Sequence, residues 1–164
     1  MSQNMKRNVK LPPQAIDFEE AVLGAILIDK NAMAEVGDML SPEVFYKEAH
    51  KEIFKATETL FQNAEPIDVM TVKNQLQQNK KLKLCGGVHY LAELTNKVIS
   101  SANIEYHCRI IVQKHIQREL ISTCSEIIQT SYEESTDAIE LLDQVESKIF
   151  AISEGNIKKK YLKK

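Results

Sequence analysis

Hydrophobic residues recur along most of the chain at spacings of three and four, which is the pattern of helices with one apolar face. No run alternates apolar and polar residues as a half-buried strand would. Turn-forming residues divide the pattern into separate segments. We therefore predict an all-α fold with helices over about 17–29, 31–40, 41–63, 68–79, 88–94, 102–132 and 137–153.

Four of these segments begin with residues that suit the free N–H groups of a helix start. The candidates are Asp17 with Glu20, Ser41 with Pro42, Asp68, and Asp137 with Glu140. The first and last pairs have the spacing of a capping box, and proline suits the first helical position. These signals predict where the helices begin more sharply than their hydrophobic pattern does.

The longest predicted helix has an unbroken row of apolar residues four positions apart. The row consists of Ile104, Cys108, Val112, Ile116, Leu120, Cys124, Ile128 and Tyr132. Each step turns the row by roughly 40° around a straight helix, so one partner cannot cover all of it. We expect the first half to pack on the globular part and the second half to pack elsewhere. Cys108 and Cys124 lie in this row, so we expect both to be buried small hydrophobes.

The last predicted helix has apolar residues spaced four and three apart, which is a heptad pattern. They are Ala138, Leu142, Val145, Ile149 and Ile152. Only four residues, 133–136, separate this helix from the long one, so the two should form an antiparallel hairpin. We take seven residues as candidates for the contact between the two helices and for self-association. They are Leu120, Cys124, Ile128, Leu142, Val145, Ile149 and Ile152.

Further apolar residues on the two helices lie off these rows. They are Ile110, Ile111, Ile121, Ile127, Leu141 and Phe150. A two-helix hairpin cannot bury all of this surface alone, and large exposed apolar patches mark interfaces. The alternative is that these residues complete a core within one chain. Both alternatives stay open at the level of the sequence.

Composition narrows the class of protein. The 164 residues are 43% hydrophobic, with 5 Gly and 4 Pro, as in a helical globular domain with short loops. The net charge of −2 gives no overall basic surface for nucleic acid, and one basic cluster lies at each end of the chain. The odd count of 3 cysteines argues against a disulfide framework. No signal peptide or membrane-spanning run is evident, so we expect a cytoplasmic protein without a membrane partner.

Motifs of catalysis are missing from the sequence. The glycines are too scattered for a phosphate loop, and no H-E-x-x-H or C-x-x-C motif occurs. His107 and His115 are eight positions apart on one predicted helix, too far apart to share a metal ion. We expect His50, His89 and these two histidines to be surface or packing residues. The sequence therefore predicts no catalytic, nucleotide-binding or metal-binding residue and no cofactor.

Five segments in order resemble the N-terminal domain of DnaB-type replicative helicases. They are LPPQAIDFEEAVLGAILID at 11–29, SPEVFYKEAHKEIFKA at 41–56, PIDVMTV at 66–72, GGVHYLAEL at 86–94 and SANIEYHCRII at 101–111. The resemblance extends over about 11–153. It implies a small helical globule followed by a long antiparallel helical hairpin, which agrees with the pattern above.

The resemblance also implies a role. Domains of this family pair with one another, as three dimers in a collar on the helicase hexamer, and they recruit the C-terminal domain of primase. A helicase loader is a further partner that the resemblance leaves open. The ATPase domain, with its ATP and Mg²⁺, follows in the family and is absent here. We expect a tail over 1–13, a globular subdomain over 14–100, a hairpin over 101–153 and the start of an interdomain linker over 154–164.

Four residues match the places that the family uses to dock primase. They are Tyr90, Arg118, Ile121 and Ile127. Aromatic, arginine and aliphatic side chains are typical anchors of interfaces. Tyr90 could instead be a core tyrosine of a short helix, and Arg118 could lie on a solvated helix face.

The leading hypothesis is a non-catalytic module for oligomerisation and primase recruitment in a replicative helicase, without strong DNA binding of its own. Clustered lysines at both ends of the chain motivate an alternative, a free-standing DNA-binding or regulatory helical protein. A small helical enzyme is the third hypothesis, and the missing catalytic motifs argue against it.

Overall fold

The computed structural model describes residues 10–98 and 103–157. Within these ranges the chain is all-helical and contains no strand. The described helices are α1 (Ile16–Ile28), α2 (Ala32–Val36), α3 (Glu48–Gln62), α4 (Val69–Gln78), α5 (Gly87–Asn96), α6 (Ile104–Ser131) and α7 (Ala138–Ile157), with a 3-10 turn at Pro42–Val44. The predicted all-α fold class is thus confirmed. Most of the predicted tail, the first residue of the predicted helix over 102–132 and the terminal lysines lie outside the described residues.

Helix α1 is the centre of the globular part. Its residues Val22 to Leu27 are all buried, so the helix has no solvated side there. Such a helix must be surrounded, and α3, α5 and α6 pack around it. The approach to α5 is close at Gly24, where an added Cβ would lie 2.2 Å from the carbonyl oxygen of Leu94. A glycine is required at this crossing because any side chain would push the two helices apart.

The other helices of the globule each bury one face against this centre. Helix α3 buries Ile53, Phe54 and Leu60, and α4 covers α3 with Val72 and Leu76. The remaining buried apolar residues join these in one continuous core. They include Met33, Val36, Leu40, Phe45, Leu91, Leu94, Ile104, Cys108 and Ile111.

Two predicted helix caps are confirmed. The Asp68 side chain accepts the backbone N–H groups of Met70 and Thr71, and the Thr71 hydroxyl accepts the N–H of Asp68, completing a capping box. At the start of α7, the Asp137 side chain accepts the N–H groups of Ile139 and Glu140. These two hydrogen bonds stabilise the first turn of α7 directly after the short connection.

The predicted box of Asp17 and Glu20 is wrong. Helix α1 begins at Ile16, so Asp17 lies in the first turn rather than at the cap. Glu20 is buried, and its carboxylate binds Lys97 and Tyr90 instead of the helix start. Glu20 therefore makes tertiary contacts instead of the predicted local contact at the helix start.

The predicted helix over 41–63 is also wrong in its first part. Pro42–Val44 forms a 3-10 turn, Phe45 is extended, and α3 begins only at Glu48. The carboxylate of Glu19 accepts the backbone N–H of Tyr46 at 2.6 Å. This contact from α1 holds the segment out of a helix and supplies a partner for its N–H group. Helix α2 is shorter than predicted, and α7 runs beyond 153 to Ile157.

The long helix α6 belongs to two environments, as its apolar row predicts. Ile104, Cys108 and Ile111 are buried in the globule, and Val112 packs against the same core. Further along, Leu120 is 38% exposed and Ile128 is 60% exposed. The second half of α6 instead pairs with α7 in an antiparallel hairpin. The predicted globule and hairpin are both present.

Candidate functional site

The two helices of the hairpin meet along a narrow line of half-buried side chains, which we call the hairpin seam. Its described members are Ile127, Thr130, Leu141, Val145 and Lys148. Contacts at two levels fix the register. Lys148 pairs with Glu126, and further down the Asn156 amide donates to Glu119 at 2.9 Å.

The predicted seam is wrong in part. Val145 and Ile152 are half-buried as predicted, but Leu142 is 55% exposed and Ile149 is 42% exposed. Leu141 and Lys148 take their places, one position earlier in the chain. A heptad pattern read from apolar residues passes over a lysine, so the sequence did not indicate Lys148, which pairs with Glu126, as a residue between the helices.

The displaced apolar residues form one surface, which we call the hairpin apolar face. Its members are Leu120, Cys124 and Ile128 on α6 and Leu142 and Ile149 on α7. Each follows, by one position, a residue that faces the other helix or is half-buried, which is a turn of about 100° around the helix axis. Seen from one end, antiparallel helices wind in opposite senses, so both rows point to the same side of the hairpin. The prediction that Cys124 is buried is wrong, since it is exposed.

The opposite side of the hairpin is polar. Its exposed residues include Ser122, Glu126, Gln129, Glu140, Gln144 and Ser147. The outer edges add exposed apolar side chains at Ile121, Ile139 and Phe150. The exposed apolar surface is therefore concentrated on one side and its edges, as at a docking surface.

A second feature lies inside the globule, where charged side chains meet in what we call the buried polar network. His50 is fully buried, and its Nδ1 lies 2.6 Å from a carboxylate oxygen of Glu19. Its Nε2 lies 2.8 Å from the hydroxyl of Tyr90, which donates to Glu20 at 3.1 Å. Lys97 binds the other oxygen of Glu20. The network joins α1, α3 and α5.

Burial and charge act in opposite directions on this network. Burial would raise the pKa of Glu20, but hydrogen bonds from Lys97 and Tyr90 outweigh it and hold that pKa below its usual range. Burial and the neighbouring Glu20 carboxylate raise the pKa of Tyr90, so its hydroxyl keeps its hydrogen. Glu20 is thus the acceptor and the Tyr90 hydroxyl is the donor in the hydrogen bond between them.

Sequence reasoning missed the network. It assigned Glu20 to a helix cap and His50 to a surface or packing role. One signal was available, because Glu19 and Glu20 are adjacent carboxylates in an otherwise apolar stretch of α1. Buried carboxylates require partners, so such a pair indicates polar groups elsewhere in the core.

The four residues matched to primase docking lie in different surroundings. Tyr90 is half-buried in the network, Ile127 lies in the hairpin seam and Ile121 is 54% exposed. Arg118 donates to the carbonyl oxygens of Pro13 and Val44, both at 2.7 Å. Arg118 therefore fastens the segment before α1 and the 3-10 turn to the middle of α6.

Two observations on the described residues concern metal binding and thiol reactivity. No group of three or more His, Cys, Asp or Glu side chains there could hold a metal ion. Burial raises the pKa of the Cys85 thiol to about 11, so it is protonated at neutral pH. Among the described helices, none has the length and apolar character needed to cross a membrane.

Comparison with known proteins gives a consistent result. Residues 11–113 match the model of the DnaB-like helicase N terminal domain. The chain is 41% identical over 150 residues to the replicative DNA helicase DnaB of Rhodothermus marinus, covering 92% of this chain and 16% of that protein. It is 39% identical over 145 residues to DnaB of Geobacillus stearothermophilus, covering 88% and 32%. The chain thus spans a third or less of the length of these relatives.

Solved structures agree with the sequence comparison. The N-terminal domain of DnaB helicase from Mycobacterium tuberculosis superposes with a TM-score of 0.82 at 32% identity, covering 87% of this chain and 99% of that one. A DnaB-like replicative helicase, described with its interactions with primase, gives a TM-score of 0.70 at 25% identity, covering 84% and 31%. The likeness extends beyond the globule, since each match covers more than four-fifths of the chain.

Proposed function

Because this chain belongs to the DnaB-like helicase N terminal domain family, we propose that it is a non-catalytic part of a replicative helicase that joins helicase subunits and recruits primase. In this role it forms homodimers, and three dimers build a collar on the helicase hexamer. ATP hydrolysis, with its ATP and Mg²⁺, is carried out by the part of the helicase that this chain does not match. A helicase loader is a further partner of the same domain.

The observation that carries this proposal is the hairpin apolar face. Ile128 and Leu142 are 60% and 55% exposed, whereas Ile53, Phe54 and Leu91 in the globule are fully buried. Covering exposed apolar surface is favourable by about 25 cal/mol for each Å² removed from water. A second copy of the hairpin presents the same face, and C2 pairing would cover both copies at once.

The structural likeness supports the primase part of the proposal. The DnaB-like helicase that superposes on 84% of this chain is described with its interactions with primase. Ile121 is the best exposed of the matched residues, at 54%, and it lies at the edge of the hairpin apolar face. We propose that primase docks along this edge, with Arg118 holding the hairpin in place beneath it.

Sedimentation of the full chain at tens of micromolar tests the self-association. We expect a dimer or larger species for the unchanged protein, and monomers for a variant with Ile128→Glu and Leu142→Glu, because charges on the face oppose its burial. Gln129→Glu with Gln144→Glu is the matched control, with the same added charge on the polar side. A strict monomer at these concentrations, or equal dissociation of both variants, would argue against the proposal.

Titration with the primase C-terminal domain tests the recruitment. Ile121→Ala should weaken binding by about tenfold, as expected for one aliphatic anchor at an interface. Ser122→Ala, at the neighbouring position on the polar side, should leave binding unchanged. If the unchanged chain ignored primase and instead bound DNA tightly with a steep salt dependence, the DNA-binding alternative would replace this function.

A further inference from the structure

Hydrogen-bond donors and acceptors in the buried polar network can be counted on each side of His50. On one side, Glu19 accepts the backbone N–H of Tyr46 at 2.6 Å, and its other oxygen lies 2.6 Å from His50 Nδ1. Imidazole is a stronger base than a carboxylate, so a hydrogen shared between the two is held by the nitrogen. The hydrogen between Glu19 and His50 therefore lies on Nδ1.

On the other side, the Tyr90 hydroxyl has three neighbours and only one hydrogen. Lys47 Nζ donates to its oxygen at 2.9 Å, and Glu20 accepts from it at 3.1 Å. Glu20 accepts rather than donates because Lys97 binds its second oxygen. Since the single hydroxyl hydrogen is directed to Glu20, the 2.8 Å contact with His50 Nε2 needs a hydrogen on the ring nitrogen.

We infer that His50 is a doubly protonated, positively charged imidazolium enclosed in the core, and that it positions Tyr90 and α5 against α1 and α3. A charge in this place requires ionic partners. The groups facing it are Glu19 and Glu20 from α1, Lys47 from the segment before α3, and Tyr90 from α5. The Tyr90 ring also lies parallel to the imidazole, with centroids 6.1 Å apart. The hydroxyl, the ring and the helix that bears them are thus held from several directions.

A consequence for docking follows, and this clause rests on the proposed function. The outer side of α5 exposes Val88, His89 and Glu93 beside the half-buried Tyr90. If primase contacts this side of α5, His50 determines the position of α5 without touching primase. His50 is then a positioning residue for the docking surface.

Nitrogen NMR of the histidine rings in the full chain at pH 7.5 tests the protonation. A free histidine side chain is mostly neutral at this pH, with one nitrogen lacking hydrogen. We expect two slowly exchanging ring N–H signals for His50, assigned by their loss in His50→Gln. A bare ring nitrogen at His50 would overturn the inference. His89→Gln supplies the assignment control, since His89 is exposed on α5.

Amide hydrogen exchange tests the positioning and does not depend on primase. We expect exchange across 87–96 to rise by about tenfold in Tyr90→Phe and at least as much in His50→Gln, because each leaves a buried polar group without its partner. His89→Gln should exchange like the unchanged chain. Unchanged exchange in Tyr90→Phe would contradict the positioning, even if His50→Gln failed to fold.

Primase titration of the same variants then separates the two proposals. If the unchanged chain binds and Tyr90→Phe binds several-fold more weakly, while Tyr106→Phe, the same change at an exposed tyrosine of α6, binds normally, the docking consequence holds. Equal binding by Tyr90→Phe and the unchanged chain overturns that consequence. If the unchanged chain does not bind primase, the proposed function fails, while NMR and exchange still decide the state and role of His50.

Discussion

The globule and the hairpin are both built from helices with apolar residues, but they differ in how far those residues are exposed to solvent. In the globule, Leu23, Phe54 and Leu91 have no exposed surface, whereas Ile139 and Phe150 on the hairpin are 70% and 65% exposed. The difference follows from packing geometry. Helix α1 is enclosed by several neighbours, while each hairpin helix has one neighbour and can bury only one stripe. The globule therefore encloses its apolar core within one chain, whereas the hairpin leaves apolar side chains exposed.

The sharpest test of this contrast replaces one phenylalanine by alanine in each region. Phe54→Ala should lower the free energy of unfolding by about 3–5 kcal/mol, because it leaves a cavity in the core. Phe150→Ala should change it by less than about 0.5 kcal/mol in the monomer. Urea unfolding of both variants, at a concentration where the unchanged chain is monomeric, measures the two values. Similar losses would mean that the hairpin is as closely packed as the globule.

Two glycines give a smaller effect of opposite sign in the two regions. Gly24→Ala places a Cβ against the backbone of Leu94 and should cost about 1–3 kcal/mol or more. Gly155 in α7 has open space around its Cβ position, so Gly155→Ala should stabilise the chain by up to about 1 kcal/mol. Thermal unfolding would show one midpoint lowered and the other raised. A stable Gly24→Ala variant would contradict the close crossing of α1 and α5.

The smallest expected effect lies at the junction of the two regions. His115 lines a cavity of about 120 Å³ between the globule and the hairpin, beside Glu119. Burial lowers the pKa of His115 below its ordinary value, an effect that Glu119 opposes only in part. The unfolded chain therefore takes up a proton at a higher pH than the folded chain does.

Above about pH 6.5 His115 is neutral in both states and does not oppose folding. As the pH falls from there towards the lowered pKa of the folded state, the unfolded chain binds the proton first, and the free energy of unfolding decreases. His115→Gln should remove this decrease, so the variant should lose less stability than the unchanged chain between pH 7.5 and pH 5.5. Urea midpoints at both pH values measure the difference. His89→Gln, changed on the exposed side of α5, should keep the full loss, and an equal loss in His115→Gln would disprove the assignment.

Features that depend on local sequence were predicted well. The caps at Asp68 and Asp137 need only neighbouring residues, and the row from Ile104 showed that α6 has two environments. The break after Ser41 could not be seen locally, because Glu19, 27 positions from Tyr46, supplies the contact that enforces it. Local propensity yields to such long-range contacts.

The candidate site was predicted in outline and missed in detail. Two overlapping heptad patterns fit α7, and they share Val145 and Ile152. Apolar character favours the one with Leu142 and Ile149, but the structure has the other, with Leu141 and Lys148 between the helices. The result is one continuous apolar face where the sequence suggested a buried line. The buried polar network was not predicted, because its members come from distant parts of the chain.

Helix α6 runs without interruption from the core to the tip of the hairpin, over 28 residues. At 1.5 Å per residue this is a rod of about 42 Å, of which about half projects beyond the globule. A tilt of about 10° at its anchored end would move the far tip by about 7 Å, more than the pitch of one helical turn. Small adjustments around Ile104 and Cys108 are thereby magnified at Tyr132, so the packing of the globule determines the position of the far end of the hairpin.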